Sequence, residues 1–179
     1  MTKKLNIALI GCGGWGKNIA RNLHQIGALA CIYDSDQNLS KKLNQDFKLH
    51  NYTINDIFRN ENIQALVIAS SAKTHRDIAE EALKNNKDVL IEKPFCLSLN
   101  DAITLSKLAI KKNKVLMAGH LLNYHNAFIK MQDLIREGKI GETKNIRAQR
   151  LALGAIRSHE SVIYDLSLIH ISEPTRPRL

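Results

Sequence analysis

The chain has 179 residues, of which 44% are hydrophobic and 24% charged, a balance typical of an ordinary soluble globular protein. It contains no run of about 18 or more apolar residues and no signal-peptide pattern, so we expect no membrane partner. The net charge is +9, but the lysines are dispersed and no basic stripe with interleaved aromatic residues occurs, which argues against a nucleic-acid partner. The three cysteines lack metal-ligand spacing, so we expect reduced thiols in a cytoplasmic protein and no metal site.

Strand and helix patterns alternate from the N-terminus to residue 120. The predicted strands are residues 5–12, 28–33, 49–52, 65–70, 88–92 and 115–119. The predicted helices are residues 15–26, 38–47, 53–59, 75–85 and 98–112, with Thr53 and Ser98 as N-caps. This alternation predicts an α/β domain over residues 1–120, with the doubly wound parallel sheet of the Rossmann type.

The pattern changes after residue 120. Residues 126–136 predict a helix, Gly138 and Gly141 bracket a turn, and residues 142–153 alternate like a strand. These elements predict the beginning of a second domain over residues 121–165.

A glycine loop follows the first predicted strand. Gly11, Gly13 and Gly16 form Gly-x-Gly-x-x-Gly between a strand and a helix, the context that a dinucleotide-binding loop requires. The first glycine permits a tight turn, the second lets the backbone approach a pyrophosphate, and the third allows close packing of the helix on the strand. The alternative is a glycine turn that binds no ligand.

Asp34 closes the second predicted strand, 18 residues after Gly16. A carboxylate at this place can accept hydrogen bonds from both hydroxyls of an adenosine ribose and would repel the 2′-phosphate of NADP. No arginine follows Asp34 directly, so the sequence favours NAD as the cofactor. The alternative is that Asp34 or Asp36 only caps the next helix.

Two further motifs follow predicted strands, at the edge where doubly wound sheets bind their ligands. Glu92-Lys93-Pro94 ends the fifth predicted strand, where a lysine can hydrogen-bond a substrate hydroxyl and take part in proton transfer. Otherwise Lys93 is a surface lysine in a turn. Ser70 and Ser71 follow the fourth predicted strand and suit close contact with a cofactor. His75 either joins that contact or only begins the helix.

These motifs and Ala118-Gly119-His120, in this order, resemble the glucose–fructose oxidoreductase/inositol dehydrogenase (Gfo/Idh/MocA) family over residues 4–165. The resemblance implies a Rossmann domain followed by an open-sheet domain that binds substrate and often mediates homo-oligomer formation. It also implies hydride transfer between a sugar or cyclitol carbon and nicotinamide, with Lys93 as the catalytic residue. The expected cofactor residues are Gly11, Gly13, Trp15, Gly16, Asp34, Ser70, Ser71, His75, Glu92 and Lys93.

A subgroup can be suggested from residues 119–125 and 150–157, which are similar to bacterial sugar-nucleotide 3-dehydrogenases acting on UDP-N-acetylglucosamine-type substrates. This similarity implies His120, Tyr124 and Arg157 as substrate-binding residues. The chain departs from the subgroup at residues 123–126, which read Asn-Tyr-His-Asn where Arg-Tyr-His-Pro is usual.

The last residues depart further from the subgroup. Its catalytic histidine lies four residues after the counterpart of Asp165, but position 169 is isoleucine and His170 comes one residue late. Residues 166–179 resemble the translation of a sequencing adapter, so we expect a non-native tail and an N-terminal fragment that is inactive alone. The alternative is that His170 is the catalytic histidine after a one-residue insertion.

The sequence therefore predicts an NAD-dependent sugar or sugar-nucleotide dehydrogenase. The main alternative is a non-catalytic nicotinamide-binding sensor or regulatory protein on the same scaffold. Retention of Lys93 favours the enzyme. A bare dinucleotide-binding domain that mediates assembly is a third reading, and the strand-like segment 142–153 argues against it.

Overall fold

In the computed structural model, residues 5–145 and 147 are described, and they form two compact units that divide after Gly119. The strands of the first unit are β1 (Ile7–Ile10), β2 (Leu29–Tyr33), β3 (Ala65–Ile68), β4 (Asp88–Ile91) and β5 (Leu116–Ala118). Its helices are α1 (Gly16–Gln25), α2 (Gln37–Asp46), α3 (Ile54–Arg59), α4 (Ala72–Lys84) and α5 (Leu99–Lys112).

The five strands form one sheet in the order β2-β1-β3-β4-β5, and every neighbouring pair is parallel. The chain winds outward from β1 in both directions, so the order reverses between β1 and β3. Ligands of doubly wound sheets bind outside the carboxyl ends of the strands at this reversal. The prediction of a Rossmann-type fold is confirmed.

The sheet is buried on both faces, as expected for parallel strands covered by helices. Ile10 and Ile68 belong to the core cluster that also contains Leu83 of α4 and Leu105 of α5. Leu9, the neighbour of Ile10, belongs to the opposite cluster, which contains residues of α1 and α2. The two-residue alternation of side chains along a strand therefore supplies two cores from one apolar run.

The segment 49–52 was predicted as a strand, and this prediction is wrong because the described sheet has no strand beyond β2. The buried side chain of Asn44, on α2, occupies that edge. Its Oδ1 accepts from the backbone N–H of Ile32 at 2.9 Å, and its Nδ2 donates to the carbonyl oxygen of Ile32 at 2.8 Å. One side-chain amide thus takes both outward backbone groups of Ile32, which a further strand would need for pairing.

Most predicted helices are present with shifts of one or two residues at their ends. The side chain of Thr53 accepts from the backbone N–H of Asp56, and the carboxylate of Asp56 accepts from the backbone N–H of Thr53, a complete capping box. Ser98 caps α5 in the predicted way, through the N–H of Asp101. α4 begins three residues before the predicted start, because Ala72 is buried although Lys73 and Thr74 beside it are polar and exposed.

The second unit contains a short 3₁₀ helix, Leu121–Tyr124, and α6, Asn126–Arg136, whose bounds are those predicted. Gly138 and Gly141 have φ values of +67° and +72° and form the predicted turn. Within the predicted strand 142–153, residues 142–145 and 147 have no strand structure, and the others lie outside the described residues, as do residues 166–179. Across the described part of the chain, every helix is too short or too polar to cross a membrane.

We predict that Asn44→Ala lowers the free energy of unfolding by about 1–3 kcal/mol, since it leaves the N–H and the C=O of Ile32 buried without their partner. Urea unfolding of the chain measures the change. Gln45→Ala, an exposed position on the same helix, is the matched control and should cost less than about 0.5 kcal/mol. Equal effects of the two substitutions would show that the Asn44 amide does not stabilise this edge.

Candidate cofactor and active site

The turn after β1 is shaped by close contacts at two of its glycines. Gly11 has a φ of +93°, and a Cβ there would lie 2.5 Å from the backbone nitrogen of Ser70. A Cβ on Gly16 would overlap the carbonyl oxygen of Gly11. At Gly13, by contrast, an added Cβ would have nothing within 4 Å. The loop is therefore tightly packed on the protein side and open at the position that was assigned to the pyrophosphate.

The N-terminus of α1 is suited to an anion. The N-cap residue, Trp15, makes no side-chain capping hydrogen bond, and the first turn contains no acidic residue. A helix start of this kind keeps backbone N–H groups and the positive end of the helix dipole available for a negatively charged group. Together with the space at Gly13, this end of the helix fits the pyrophosphate of a dinucleotide.

Asp34, directly after β2, is bound to the same loop. Its Oδ2 accepts from the backbone N–H of Cys12 at 2.7 Å, and its Oδ1 accepts from the backbone N–H of Asp36 at 2.9 Å. Partial burial raises the pKa of Asp34, but the backbone hydrogen bonds from Cys12 and Asp36, together with side-chain hydrogen bonds from Cys12 and Ser35, outweigh it, so that the pKa lies below its ordinary value. Asp34 is therefore ionised at neutral pH. A carboxylate offers about four acceptor sites. The thiol of Cys12 and the hydroxyl of Ser35 occupy the other two, each at the longer distance of 3.3 Å, and ribose hydroxyls would replace these two donors.

Asp36 has a different role from that of Asp34. Its side chain accepts from the backbone N–H groups of Asn38 and Leu39 and caps α2. Of the two carboxylates between which the sequence left the capping function open, Asp36 is the cap of the helix. Asp34 is directed to the glycine loop.

A cavity of about 610 Å³ lies beside Gly11, Gly13 and Asp34. Eight of its lining residues were not predicted as site residues: Ile10, Tyr33, Ser35, Ile54, Ala69, Thr74, Asp77 and Ile78. They lie in or next to β1, β2 and β3 and in α3 and α4, and their meeting depends on the topology, so no local pattern identifies them. Among the residues that line this cavity, the charged ones are Asp34 and Asp77, and none is a lysine or arginine. The lining charge is therefore negative although the chain as a whole is basic, and it comes mainly from Asp34, because the carboxylate of Asp77 is 74% exposed and is paired with Arg76 at 2.8 Å.

Ser70 and Ser71 both line this cavity, and the hydroxyl of Ser70 lies 2.7 Å from that of Thr74. His75, however, is only 1% exposed and does not line the cavity. Its Nδ1 lies 2.8 Å from the carbonyl oxygen of Pro94, and its Nε2 lies 3.0 Å from that of Ser70. The ring thus connects the turn after β3 to the segment after β4.

Lys93 lies half-buried directly after β4, with a cis peptide bond to Pro94. The preceding residue, Glu92, is buried, and its Oε1 accepts from Nε1 of Trp15 at 3.0 Å. Its Oε2 accepts from the backbone N–H of Lys93 at 3.2 Å. The structure thus brings three residues predicted for the site, Trp15, Glu92 and Lys93, into one group.

The candidate residues follow the strand order along one edge of the sheet. Asp34 follows β2, Gly11 follows β1, Ser70 lies just after β3, and Lys93 follows β4. Three intervals between parallel strands, at about 4.8 Å each, separate the first of these positions from the last by roughly 14 Å. An elongated ligand can therefore contact Asp34 at one end and the Lys93 segment at the other.

The predicted substrate residues belong to the second unit. His120 directly precedes the 3₁₀ helix and is partly exposed, and Tyr124, within that helix, is 64% exposed. Arg157 lies outside the described residues. Over residues 5–145 and 147, no group of three or more His, Cys, Asp or Glu side chains is arranged to hold a metal ion.

Comparison with curated proteins finds similar bacterial enzymes. The UDP-N-acetylglucosamine 3-dehydrogenase of Acidithiobacillus ferrooxidans is 29% identical over 167 residues, which cover 93% of this chain and 51% of the relative. The 2,7-anhydro-N-acetylneuraminate hydratase of Escherichia coli K12 is 27% identical over 150 residues, which cover 82% of this chain and 40% of the relative. The chain thus spans about half or less of the length of these two relatives.

Comparison with solved structures agrees with the fold. GenD2 from gentamicin A biosynthesis, in complex with NAD, superposes with a TM-score of 0.72 at 25% sequence identity, over 78% of this chain and 41% of that one. The model of the oxidoreductase family with an NAD-binding Rossmann fold, Gfo/Idh/MocA, matches residues 5–120. Since this match covers well over half of the chain and contains the glycine loop, Asp34 and Lys93, the chain belongs to the Gfo/Idh/MocA oxidoreductase family.

Proposed function

We propose that the protein is an NAD-dependent oxidoreductase that transfers a hydride between a hydroxyl-bearing carbon of a sugar or sugar nucleotide and nicotinamide. The observation that carries the proposal is the sheet edge on which Asp34, the glycine loop and Lys93 follow one another in strand order. Such an edge binds a dinucleotide in extended form and ends at a residue capable of acid–base chemistry.

The cofactor preference follows from the charges of the cavity. Asp34 is ionised at neutral pH, and Asp77 is a second carboxylate in the lining. A ribose with free hydroxyls donates hydrogen bonds to a carboxylate, whereas a 2′-phosphate would meet like charge with no lining cation to compensate it. These charges support NAD rather than NADP.

Lys93 is proposed as the catalytic residue. When bound, the nicotinamide ring accepts or supplies the hydride. The ammonium of Lys93 donates a hydrogen bond to the substrate oxygen, and its amine form accepts the hydroxyl proton as the carbon is oxidised. The backbone hydrogen bond between Lys93 and the side chain of Glu92 fixes the start of this segment relative to β4.

The substrate class rests on the relatives and on the resemblance. One relative is named for a UDP-N-acetylated sugar, which supports a sugar-nucleotide substrate. His120, Tyr124 and Arg157 are the proposed substrate contacts, and the domain proposed to bind substrate begins at residue 121, directly after His120. A cytoplasmic homo-oligomer, with residues 166–179 as a non-native tail, completes the proposal.

A second candidate is a hydration or dehydration reaction, favoured by the similarity to an enzyme named as a hydratase. Net absorbance at 340 nm separates the two reactions. A dehydrogenase forms one NADH for each substrate molecule oxidised, whereas a hydratase converts its substrate with no net change in NADH. A regulatory protein would bind the cofactor and leave the substrate unchanged.

We predict that the 179-residue chain binds NADH at least about tenfold more tightly than NADPH, because Asp34 suits free ribose hydroxyls. Asp34→Asn should reduce this ratio several-fold, since it removes the charge and keeps an oxygen that can accept from Cys12. Isothermal titration calorimetry gives the four affinities. Asp46→Asn, at an exposed position of α2, is the control and should leave the ratio unchanged. Equal affinities of the original chain for both cofactors would overturn the assignment of Asp34.

We predict that Lys93→Met slows turnover of UDP-N-acetylglucosamine about 10²–10⁴-fold in the complete gene product, the usual effect of losing one acid–base group. NADH affinity of the 179-residue chain should stay nearly unchanged, because Lys93 lies beyond the pyrophosphate loop. Lys73→Met, an exposed lysine of α4, is the matched control. Near-normal turnover by Lys93→Met would show that this lysine is structural. The 179-residue chain itself is expected to form no NADH in this assay.

A further inference from the structure

Glu92 is a buried acidic residue whose carboxylate is only partly explained by the proposed reaction. It is 8% exposed, and its two oxygens have different partners. Oε1 accepts from the indole N–H of Trp15, and Oε2 accepts from the backbone N–H of Lys93. A buried carboxyl group is costly unless it is hydrogen-bonded, so these bonds offset the cost of burying Glu92 and fix its orientation.

Gly119 lies close to the same carboxylate. The backbone N–H of Gly119 donates to the carbonyl oxygen of Ile91 at 2.7 Å, which places the exit of β5 beside the exit of β4. A Cβ at position 119 would lie 3.1 Å from Cδ and from both carboxylate oxygens of Glu92. This distance is shorter than an ordinary carbon–oxygen contact, so an added Cβ would require the carboxylate to shift by a few tenths of an ångström.

Trp15 is the residue that this carboxylate orients. Trp15 is 50% exposed although its side chain is large and apolar, and in the sequence it stands between Gly13, where an added Cβ would have open space, and the tightly packed Gly16. The bond to Glu92 joins the turn after β1 to the end of β4, two strands that are separated in the sheet by β3. An exposed aromatic face with its N–H fixed is a rigid surface against which a planar group can pack.

The position of this surface relative to Asp34 indicates which half of the cofactor it meets. Asp34 lies at the β2 end of the edge, and the Trp15–Glu92 pair lies at the β4 end, on the other side of the glycine loop. In the proposed function, Asp34 binds the adenosine ribose. The indole is then on the side of the nicotinamide half.

We propose that Glu92 is a positioning residue that acts through Trp15: its Oε1 holds the indole as the wall of the nicotinamide subsite, and Glu92 itself does not contact the cofactor. This inference rests on the proposed binding of NAD. The sequence predicted Glu92 as a direct cofactor contact, and the proposal replaces that role with a positioning role. It also assigns Trp15 to the nicotinamide half of the cofactor.

Trp15 is the only tryptophan of the chain, so fluorescence excited at a wavelength that the four tyrosines do not absorb reports this side chain alone. Glu92→Leu removes the acceptor, and acrylamide should then quench the fluorescence at least about twofold more efficiently, since the indole is released. Glu92→Gln keeps one carbonyl oxygen that accepts from the indole N–H, so acrylamide should quench its fluorescence as efficiently as that of the original chain. Unchanged quenching in Glu92→Leu would overturn the proposal.

Binding of two ligands separates positioning from general stability. ADP-ribose contains the adenosine and pyrophosphate of NADH but no nicotinamide. By calorimetry, Glu92→Leu should weaken NADH binding about tenfold and ADP-ribose binding less than about twofold. Glu92→Gln should restore the NADH affinity. Equal weakening of both ligands would show that Glu92 only stabilises the fold, and it would overturn the proposal.

A double-mutant cycle tests whether Glu92 acts through Trp15. Trp15→Phe keeps an aromatic ring and removes the N–H, so it should weaken the binding of NADH but not that of ADP-ribose. Adding Glu92→Leu to this variant should not weaken NADH binding further. Additive losses would overturn the proposal. If Glu92→Leu fails to fold, Trp15→Phe alone supplies the test, because it removes the indole N–H while Glu92 remains, and it should weaken NADH binding and leave ADP-ribose binding nearly unchanged. An unchanged ratio of the two affinities in a folded Trp15→Phe would overturn the proposal.

The two proposals fail in different ways. If the original chain binds neither NADH nor ADP-ribose, the proposed NAD function fails and the subsite fails with it. If the original chain binds both but Glu92→Leu leaves their ratio unchanged, only the role of Glu92 fails.

Discussion

The site depends on the close approach of the turn after β1 to the end of β3. Gly11 lies so near the backbone of Ala69 and Ser70 that any side chain there would collide with it, and its φ is also one that glycine adopts freely. The same residue donates its N–H to the carbonyl oxygen of Tyr33 at 2.8 Å. One glycine therefore sets the positions of three strand ends relative to one another. The attachment of Asp34 to the loop and the opening at Gly13 follow from this arrangement.

The two ends of the sheet edge are held by different means. At the β2 end, backbone N–H groups bind Asp34 directly, so the residue proposed to contact the ligand is itself fixed by the loop. At the β4 end, Lys93 is flanked by buried polar side chains, Glu92 before it and His75 against Pro94. Neighbours of this kind limit the movement of a reactive residue. His75 has both nitrogens within hydrogen-bond distance of carbonyl oxygens, and this makes it a support of the site rather than a part of its surface.

Local sequence patterns predicted the fold because they report periodicity, caps and turns, which are local properties. Helix 126–136 and the Thr53 cap follow from such signals. The missing strand at 49–52 could not be foreseen, since it depends on Asn44 reaching Ile32 across the edge of the sheet. Ile54 and Ile78 read as ordinary apolar helix positions, and only the topology brings them to one cavity. The motifs marked His75 and Glu92 as site residues, but their supporting roles depend on partners 19 and 77 residues away along the chain.

The charge of the chain and the charge of the cavity have opposite signs, and they act over different distances. The net charge of +9 favours the approach of an anionic dinucleotide, but salt screens it beyond about 8 Å at physiological ionic strength. Asp34, in contrast, is partly buried and lines the cavity itself, where a ligand would lie within a few ångströms and screening is weaker. Asp77 also lines the cavity, but its carboxylate is 74% exposed and paired with Arg76, so it contributes less. The general positive charge does not discriminate between NAD and NADP, although the second carries more negative charge. In the proposed function the discrimination therefore comes mainly from Asp34, the carboxylate assigned to the adenosine ribose.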